Sequence, residues 1–286
     1  DGPGIRTTVF FKGCPLKCGW CHNPESQAIE RELVYWEERC LKCQACVAAC
    51  QQHAIRWDGD RIIHDPAKCV LSGACVAACY ADARQIAGRE MTVTEVMSEI
   101  KSDIAFYDES GGGVTFSGGE PMMQSEYLLG LLLACREWEI HTALDTCGFA
   151  SWTVLDRLRG YIDLFLYDLK LVDPVRHKQL TGAPNQPILD NLQKLSELGH
   201  DIVLRIPIVP GLNDDGENIG AIGALAASLP HLNRVDILPY HRAAISKYER
   251  LHRVYGFSEV QPPPEESLAA IQRSLADHGL HVKVGG

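Results

Sequence analysis

Beyond residue 90, short apolar runs alternate with amphipathic segments of helical period. The apolar runs predict strands at residues 114–116, before 145, and at 163–170, 202–209, 235–238 and 282–284. The amphipathic segments predict helices that reach 138 and 158, and others near 191–198, 219–229 and 265–278. Thr92 and Glu95 form a capping box that opens a further helix, and residues 7–11 form an earlier strand. About seven strand–helix alternations result, which is typical of a parallel α/β architecture.

Chemically distinctive residues recur just past the carboxyl ends of the predicted strands. They are Cys14, Gly118, Asp145, Asp168, Lys170 and His241. In a (β/α) barrel these positions converge on one mouth, where active sites are built. A doubly wound sheet is the alternative, but no GxGxxG segment follows a strand, so a dinucleotide-binding sheet has no positive support. The pattern therefore favours an α/β fold of the barrel type.

Residues 36–88 interrupt this alternation. They contain seven cysteines, short loops and almost no long apolar periodicity. We interpret them as a small insertion that packs around metal clusters rather than around a hydrophobic core. The predicted organisation is thus the start of the α/β domain at 1–35, the insertion at 36–88, and the remainder of the α/β domain at 89–286.

Composition narrows the class of protein. The 286 residues are 46% hydrophobic and 22% charged, with a net charge of -10. No stretch concentrates Lys and Arg with interleaved aromatics, which argues against a nucleic-acid partner. The most apolar run, 128–135, is too short to cross a bilayer, so no membrane association is expected. The chain opens at Asp1 inside a motif, so we expect a short N-terminal segment to precede it, and no secretory signal is visible.

Twelve cysteines are the outstanding compositional feature, and ten of them precede residue 80. Small secreted domains use such a density for disulfides, whereas this chain carries a long cysteine-poor α/β region. In a reducing compartment the same spacing indicates metal ligation, so we expect a cytoplasmic protein. Cys135 falls on the apolar face of a predicted helix and is assigned to the core. Cys147 is predicted to be a small neighbour of the site and not a ligand.

Cys14, Cys18 and Cys21 form a Cx3Cx2C motif on the loop after the first strand. Three soft thiolates on one turn suit an iron–sulfur cluster. With four irons and three ligands, one iron keeps an open coordination position, the mark of a catalytic site. That iron can bind the amine and carboxylate of a small ligand. The alternative is a three-cysteine zinc site completed by His22.

These residues carry a resemblance to a known family. The Cx3Cx2C motif resembles that of the radical S-adenosylmethionine (SAM) superfamily, and Ser117-Gly118-Gly119-Glu120-Pro121 resembles its GGE segment. Cys21-His22-Asn23-Pro24-Glu25 is typical of the glycyl radical enzyme activating enzymes, such as the pyruvate formate-lyase activating enzyme. The resemblance runs over nearly the whole chain, from Asp1 to Gly286.

The resemblance implies a partial (β/α) barrel and an oxidoreductase with two cofactors, a [4Fe–4S] cluster with one open iron and SAM. Reductive cleavage of SAM would give methionine and a 5′-deoxyadenosyl radical, which abstracts a hydrogen from a glycine of a partner glycyl radical enzyme. The cofactor supplies the hard chemistry, so no catalytic acid–base pair is expected. A reduced flavodoxin or ferredoxin is the expected electron donor, and the protein is expected to be a monomer.

The resemblance also implies which residues hold the cosubstrate. Those expected to contact SAM are Trp20, Gly118, Gly119, Glu120, Asp145, Lys170, Arg205 and His241. For the ammonium of SAM, either Glu120 or its neighbouring backbone is the expected contact. A monovalent cation is expected beside Asp145, Thr146 and Asp168. Simple packing is the alternative for Trp20, and an ordinary structural role is the alternative for Arg205 and His241.

The insertion matches a two-cluster ferredoxin pattern with two departures. Cys40, Cys43, Cys46 and Cys50 have the spacing of the bacterial ferredoxin run, whose fourth cysteine ligates the other cluster. The pattern assigns one inserted cluster to Cys40, Cys43, Cys46 and Cys79, and the second to Cys50, Cys69 and Cys75. Ser72 stands where a further cysteine is expected, and Gln51 and Tyr80 replace the usual prolines. The second cluster is thus expected to use Ser72 or another oxygen ligand, to contain three irons, or to be labile.

Two other functions remain open at this stage. One is a radical SAM enzyme that acts on a small molecule or nucleoside. The other, from a different class, is an iron–sulfur electron-transfer protein in which the insertion is the functional part. An electron carrier needs only fully ligated clusters, so the open Cx3Cx2C site argues against it. Only the enzyme consumes SAM on reduction.

Overall fold

A computed structural model describes residues 2–285, so Asp1 and Gly286, at the ends of the predicted 1–35 and 89–286 segments, lie outside the described residues. The first part of the chain contains β1 (Arg6–Phe11), β2 (Glu32–Tyr35), α1 (Ala45–Ala49), β3 (Ile55–Trp57), β4 (Ile62–His64), α2 (Ala74–Ala77) and β5 (Arg84–Ala87). Single 3-10 turns occupy Pro24–Ser26, Glu37–Arg39 and Pro121–Gln124.

From residue 93 the chain alternates between helix and strand. The helices are α3 (Val93–Ser102), α4 (Ile104–Ser110), α5 (Ser125–Glu137), α6 (Trp152–Arg159), α7 (Pro174–Thr181), α8 (Gln186–Glu197), α9 (Gly216–Ala227), α10 (Ala244–Arg250) and α11 (Glu265–Ala276). The strands are β6 (Gly113–Gly118), β7 (Thr142–Thr146), β8 (Leu164–Asp168), β9 (Ile202–Ile208), β10 (Arg234–Pro239) and β11 (Val282–Val284).

The main sheet is wholly parallel, as the alternating pattern predicted. Within residues 2–285 it has seven strands in the order β1-β6-β7-β8-β9-β10-β11. Strand order follows chain order without a reversal, whereas a doubly wound sheet reverses at its switch point. All carboxyl ends therefore lie along one edge, as in a barrel mouth.

The central strands are buried on both faces, which is why they read as continuous apolar runs. Helices cover the sheet through apolar stripes: Leu128, Leu131, Leu132 and Cys135 of α5 are all inaccessible to solvent, as the helical period predicted. The capping box of Thr92 and Glu95 is present at the start of α3. Across residues 2–285 the helices are too short or too polar to span a bilayer.

Some predicted helices differ from the observed ones. The helix predicted at 191–198 begins earlier, at Gln186, and the helix that follows the capping box breaks at Asp103 into α3 and α4. The short helices α7 and α10 were not predicted, because neither has a long apolar stripe.

The segment between β1 and α3 has a different architecture. Strands β2 and β5 pair antiparallel and enclose the chain between them, and β3 pairs with β4 as a second two-stranded sheet. A small core of Tyr35, Cys46, Ile55, Ile62 and Ala83 lies between these sheets, with Cys40, Cys50, Cys75 and Cys79 packed against it. Thiols therefore take a large share of this core.

Candidate active site

A cavity of about 430 Å³ opens at the carboxyl ends of the main-sheet strands. Of the residues predicted to form the site in the α/β domain, those that line it are Cys14, Cys18, Trp20, Cys21, Gly118, Gly119, Asp145, Thr146, Asp168, Lys170, Arg205 and His241. They come from segments up to 227 residues apart in sequence, between Cys14 and His241. Convergence on one cavity of this size is typical of a small-molecule site.

The cysteine loop is held in place by its backbone. Gly13 N donates to Ser26 O at 2.8 Å, Cys14 N donates to Gln27 O at 3.0 Å, and Lys17 N donates to Thr181 O at 2.7 Å. These bonds fix Cys14, Cys18 and Cys21 on one wall of the cavity although the loop has no regular secondary structure. The thiols are therefore preorganised for ligation.

The environment of Cys18 and Cys21 favours the neutral form of these two thiols. Burial raises the pKa of Cys18 to about 12, and it also raises the pKa of Cys21. A hydrogen bond with Cys147 lowers the pKa of Cys14. Thiolates in such a place need a positive partner, and an iron–sulfur cluster supplies one. Within residues 2–285, no three His, Cys, Asp or Glu side chains are grouped to hold a single metal ion, so the zinc alternative gains no support.

Glycines bring the backbone of the β6 end close to the cysteine loop. Gly118 has a φ of 108°, which side-chain-bearing residues rarely adopt. A Cβ on Gly119 would lie 2.2 Å from Gly13 O and 2.6 Å from Ser26 O. Backbone bonds from Gly119 N to Phe11 O and from Glu120 N to Gly13 O, both 2.8 Å, join the two segments. The GGE segment thus forms a cradle beside the thiols, and the residues present fit a cluster with a small cosubstrate.

We expect Gly119→Ala to lower the free energy of unfolding by at least about 2 kcal/mol, because the new methyl group meets backbone oxygens that cannot rotate away. Gly220→Ala is the matched control: this glycine lies within α9 with no atom within 4 Å of the added Cβ. That change is expected to stabilise the protein by up to about 1 kcal/mol. Urea denaturation of both variants checks this, and equal effects would refute the close approach.

Glu120 is placed differently from the expected contact with SAM. Its side chain is fully buried and is not part of the cavity lining. Its carboxylate accepts hydrogen bonds from Thr146 Oγ1 at 2.8 Å, from Cys147 N at 2.9 Å and from Met122 N at 3.2 Å. Burial raises the pKa of Glu120, and these donors oppose the rise. The carboxylate therefore joins the ends of β6 and β7, and only the adjacent backbone of the GGE segment faces the cavity.

Two acidic and two basic side chains form a network in the same cavity, at the ends of β7, β8 and β9. Arg205 Nε lies 3.0 Å from Asp168 Oδ1, and its Nη2 lies 3.3 Å from Asp145 Oδ1. Lys170 Nζ lies 3.2 Å from Asp168 Oδ2, and Ser117 Oγ donates to Asp145 Oδ2 at 2.6 Å. The network places equal numbers of positive and negative charges around the cavity.

The charges of this network stabilise one another. Burial opposes ionisation of Asp168, yet Lys170 and Arg205 outweigh it and hold the pKa of Asp168 below its usual value. Burial also opposes the charges of Lys170 and Arg205, and Asp168 more than compensates, so the pKa of each base is raised. Burial raises the pKa of Asp145, and Arg205 offsets part of that rise. Thr146, the third residue predicted beside the cation, donates from its Oγ1 to Glu120 Oε1 at 2.9 Å.

Aromatic side chains complete the cavity, and sequence reasoning gave some of them no role. The rings of His22 and His241 are 4.0 Å apart between centroids, and His22 Nε2 is buried with no hydrogen-bond partner among the described residues. Burial, followed by the charges of His241 and Lys247, lowers the pKa of His22 to about 4, so the imidazole is neutral. Trp20 is 4% exposed and packs edge-on against Phe257. Tyr240 lines the cavity beside them.

Most cysteines of the insertion lie at a small cavity or at the small core. Cys50, Cys69, Ser72 and Cys75 line a cavity of about 170 Å³. Cys46 belongs to the small core, Cys40, Cys50, Cys75 and Cys79 pack against it, and Cys43 is exposed. Ser72 therefore shares this cavity with three thiols.

Comparison with known proteins agrees with this geometry. Residues 8–219 match the Radical SAM superfamily. The trans-4-hydroxy-L-proline dehydratase activating enzyme of Clostridioides difficile is 46% identical, over 100% of this chain and 95% of the relative. The choline trimethylamine-lyase activating enzyme of Oleidesulfovibrio alaskensis is 40% identical, over 99% of this chain and 94% of the relative. A domain of a pyruvate-formate lyase-activating enzyme from Bacteroides vulgatus superposes with a TM-score of 0.53 at 34% identity, covering 61% of this chain and 99% of that one. The chain belongs to the radical SAM superfamily and, within it, to the glycyl radical enzyme activating enzymes.

Proposed function

We propose that the cavity at the sheet edge binds a [4Fe–4S] cluster and SAM side by side and directs the resulting radical to a glycine of a partner enzyme. The observation that supports this most strongly is the convergence of three thiols, a glycine cradle and a buried charge network on one cavity of about 430 Å³. When bound, the cluster supplies the electron that cleaves SAM into methionine and the 5′-deoxyadenosyl radical.

The residues of the chain bind and orient the reactants. Cys14, Cys18 and Cys21 hold the cluster and leave one iron open for the methionine end of SAM. The backbone of Gly118 and Gly119 approaches that end closely, since neither residue carries a side chain.

Other residues of the cavity meet the rest of SAM. Asp145, Lys170 and Arg205 provide charges for the carboxylate, ribose and sulfonium, and Asp145 with Asp168 offers oxygens to a monovalent cation. Trp20 provides a flat apolar surface for the adenine, and His241 provides a polar contact to SAM. The walls exclude water and thereby protect the radical until it takes a hydrogen atom from the glycine Cα, which yields 5′-deoxyadenosine and a glycyl radical.

We propose that the insertion carries two further iron–sulfur clusters in a ferredoxin-like arrangement. The α/β domain that contains the insertion is proposed to be a partial (β/α) barrel. The first inserted cluster uses Cys40, Cys43, Cys46 and Cys79, and the second uses Cys50, Cys69 and Cys75, with Ser72 at the position of the fourth ligand. The cavity that Ser72 shares with three thiols supports the second site. Electrons would come from a reduced flavodoxin or ferredoxin, and the protein would act as a monomer in a reducing cytoplasm.

Ser72→Cys is expected to raise the iron content by about one atom per chain if the second inserted site holds an incomplete cluster. The thiolate would supply the missing soft ligand at the same position in the cavity. Iron analysis and electron paramagnetic resonance (EPR) of anaerobically reconstituted protein measure the change. Tyr80→Cys, at a fully solvent-exposed neighbour of Cys79, serves as a control for iron bound by an extra surface thiol. Unchanged iron and spectra in Ser72→Cys would contradict the incomplete-site interpretation.

The function is tested by EPR of the reduced protein mixed with SAM and one candidate partner at a time. Relatives at 38–46% identity are named for several different enzymes, so similarity alone does not select the partner. The panel therefore includes trans-4-hydroxy-L-proline dehydratase, choline trimethylamine-lyase and isethionate sulfite-lyase. A glycyl doublet with one partner supports the proposal and identifies that partner. Accumulation of 5′-deoxyadenosine with a small molecule in place of every partner, and no doublet, would favour the small-molecule alternative.

A further inference from the structure

Arg84 is a buried cation with no anion beside it. It is the first residue of β5, it is 1% exposed, and it pairs in register with Tyr35 of β2. Neither Nη1 nor Nη2 has a hydrogen-bond partner among residues 2–285, and no acidic side chain of the described residues lies within ion-pair distance. The guanidinium carbon lies over the face of the Tyr35 ring, 4.5 Å from the ring centroid.

The surroundings of Arg84 are thiols and neutral imidazoles. Its ring partner Tyr35 and its neighbour Ala83 belong to the small core of the insertion, against which Cys40, Cys50, Cys75 and Cys79 pack. The pKa of His64 and that of His252 are both lowered, first by burial and then by Arg84. His64 Nε2 is likewise buried without a partner within the described part of the chain.

Burial of a guanidinium ion in such a place lowers the stability of the fold. The ion is always charged in proteins, so it cannot escape the cost of burial by losing a proton. A buried charge with no counter-ion strongly destabilises a fold, and a single cation–π contact recovers only part of the cost. We therefore expect an anionic group to bind among these thiols and to balance the charge of Arg84. The guanidinium has five N–H donors, so it can bind several acceptors at once.

An iron–sulfur cluster with its thiolates is an anion of the required kind. A [4Fe–4S] cluster with four thiolate ligands carries about two negative charges when oxidised and about three when reduced. We propose that Arg84 is the counter-cation of an inserted cluster whose cysteines pack against this core, and that it favours the reduced form of that cluster. The inference rests on the proposed clusters of the insertion. It adds a residue that no ligand motif contains and assigns it control of the reduction potential through charge and N–H···S hydrogen bonds.

The test uses full-length protein in which Cys14→Ala, Cys18→Ala and Cys21→Ala remove the cluster of the main cavity, so that only inserted clusters remain. Arg84→Met is compared with Arg84→Lys in an EPR-monitored redox titration. At the midpoint potential of the protein with Arg84, the ratio of reduced to oxidised form of one cluster is expected to fall about tenfold in Arg84→Met. This corresponds to a midpoint potential that is lower by about 59 mV for a one-electron couple. Arg84→Lys keeps the charge and is expected to retain most of the wild-type ratio. Arg56→Met, on the exposed face of β3, is the matched control and should leave the titration unchanged.

Stability of the iron-free chain provides a second measurement in case Arg84→Met takes up no iron. If Arg84 serves a cluster, iron-free Arg84→Met unfolds at a temperature no lower than the iron-free parent, because an uncompensated charge has been removed. A large loss of iron-free stability would instead make Arg84 a structural residue and overturn the inference. An unchanged titration in an iron-loaded Arg84→Met variant would also overturn it.

Failure of the inference and failure of the proposed function give different results. If the protein with Cys14→Ala, Cys18→Ala and Cys21→Ala binds no iron, the insertion holds no cluster. The proposed role of Arg84 is then refuted as well. Cleavage of SAM by the intact protein would be unaffected by that result, because it depends on the three cysteines of the main cavity. The glycyl doublet with a partner enzyme therefore remains an independent measurement.

Discussion

Replacing Cys18 with Ala is expected to lower reductive cleavage of SAM by more than about a hundredfold. Loss of an outer partner of a metal ligand already costs about 10–100-fold, and Cys18 is assigned as a ligand itself. The thiol is 7% exposed on the wall of the main cavity, so no other side chain readily takes its position. The rate of 5′-deoxyadenosine formation in dithionite-reduced protein measures the effect, and iron analysis should show a loss of about four irons per chain.

Cys135→Ala is the control for this experiment. Cys135 is a fully buried thiol on α5 and contacts Met97 Sδ at 3.9 Å, outside the lining of the main cavity. Its removal should cost about 1 kcal/mol of stability and leave both iron content and cleavage rate unchanged. If Cys18→Ala cleaves SAM within threefold of the parent protein, Cys18 is not a cluster ligand.

Much of the fold and one wall of the site were predictable because they depend on local signals. Central parallel strands are buried on both faces, so β8 and β9 appear as apolar runs that need no partner to be recognised. Polar residues that follow such runs, such as Asp145 and Asp168, fall at one sheet edge by topology alone. The spacing of Cys14, Cys18 and Cys21 sets their common loop regardless of the rest of the chain.

Other features depend on contacts between distant segments, which a local pattern does not contain. Helix α10 is short, and its central residue is bonded to partners more than 200 residues away: Lys247 Nζ lies 2.8 Å from Asn23 Oδ1 and 2.9 Å from Glu25 Oε1. These bonds attach the helix to the segment that follows the cysteine loop.

The orientation of Glu120 was unpredictable for the same reason. The motif places a carboxylate after two glycines, but its hydrogen-bond donors, Thr146 and Cys147, lie 26 and 27 residues further along the chain. Only the pairing of β6 with β7 brings them under the carboxylate. A short motif therefore predicted the presence of a polar group and not the side on which it would act.

Arg205→Met is expected to lower the free energy of unfolding by about 3 kcal/mol or more. The substitution leaves Asp145 and Asp168, with side chains 15% and 21% exposed, without their shared cation, and breaking a buried ion pair from one side typically costs 3–5 kcal/mol. Lys170 remains near Asp168, so the larger loss falls on Asp145, whose other partner is Ser117. Urea denaturation of the iron-free chain at neutral pH measures the change without interference from cluster release.

Arg157→Met gives the matched comparison. Arg157 makes a two-bond ion pair with Glu126, but the two side chains are 53% and 74% exposed, so its removal should change the free energy of unfolding little. A similar small cost for Arg205→Met would mean that water already solvates Asp145 and Asp168, and the dry charge network would be refuted. A much larger loss of unfolding free energy for Arg205→Met than for Arg157→Met would instead show that Arg205 stabilises three neighbouring strand ends. Arg205 is also the residue that is proposed to contact SAM. The chain would then hold its binding geometry in place before the cosubstrate arrives, because the same ion pairs that stabilise the fold also orient the charges of the cavity.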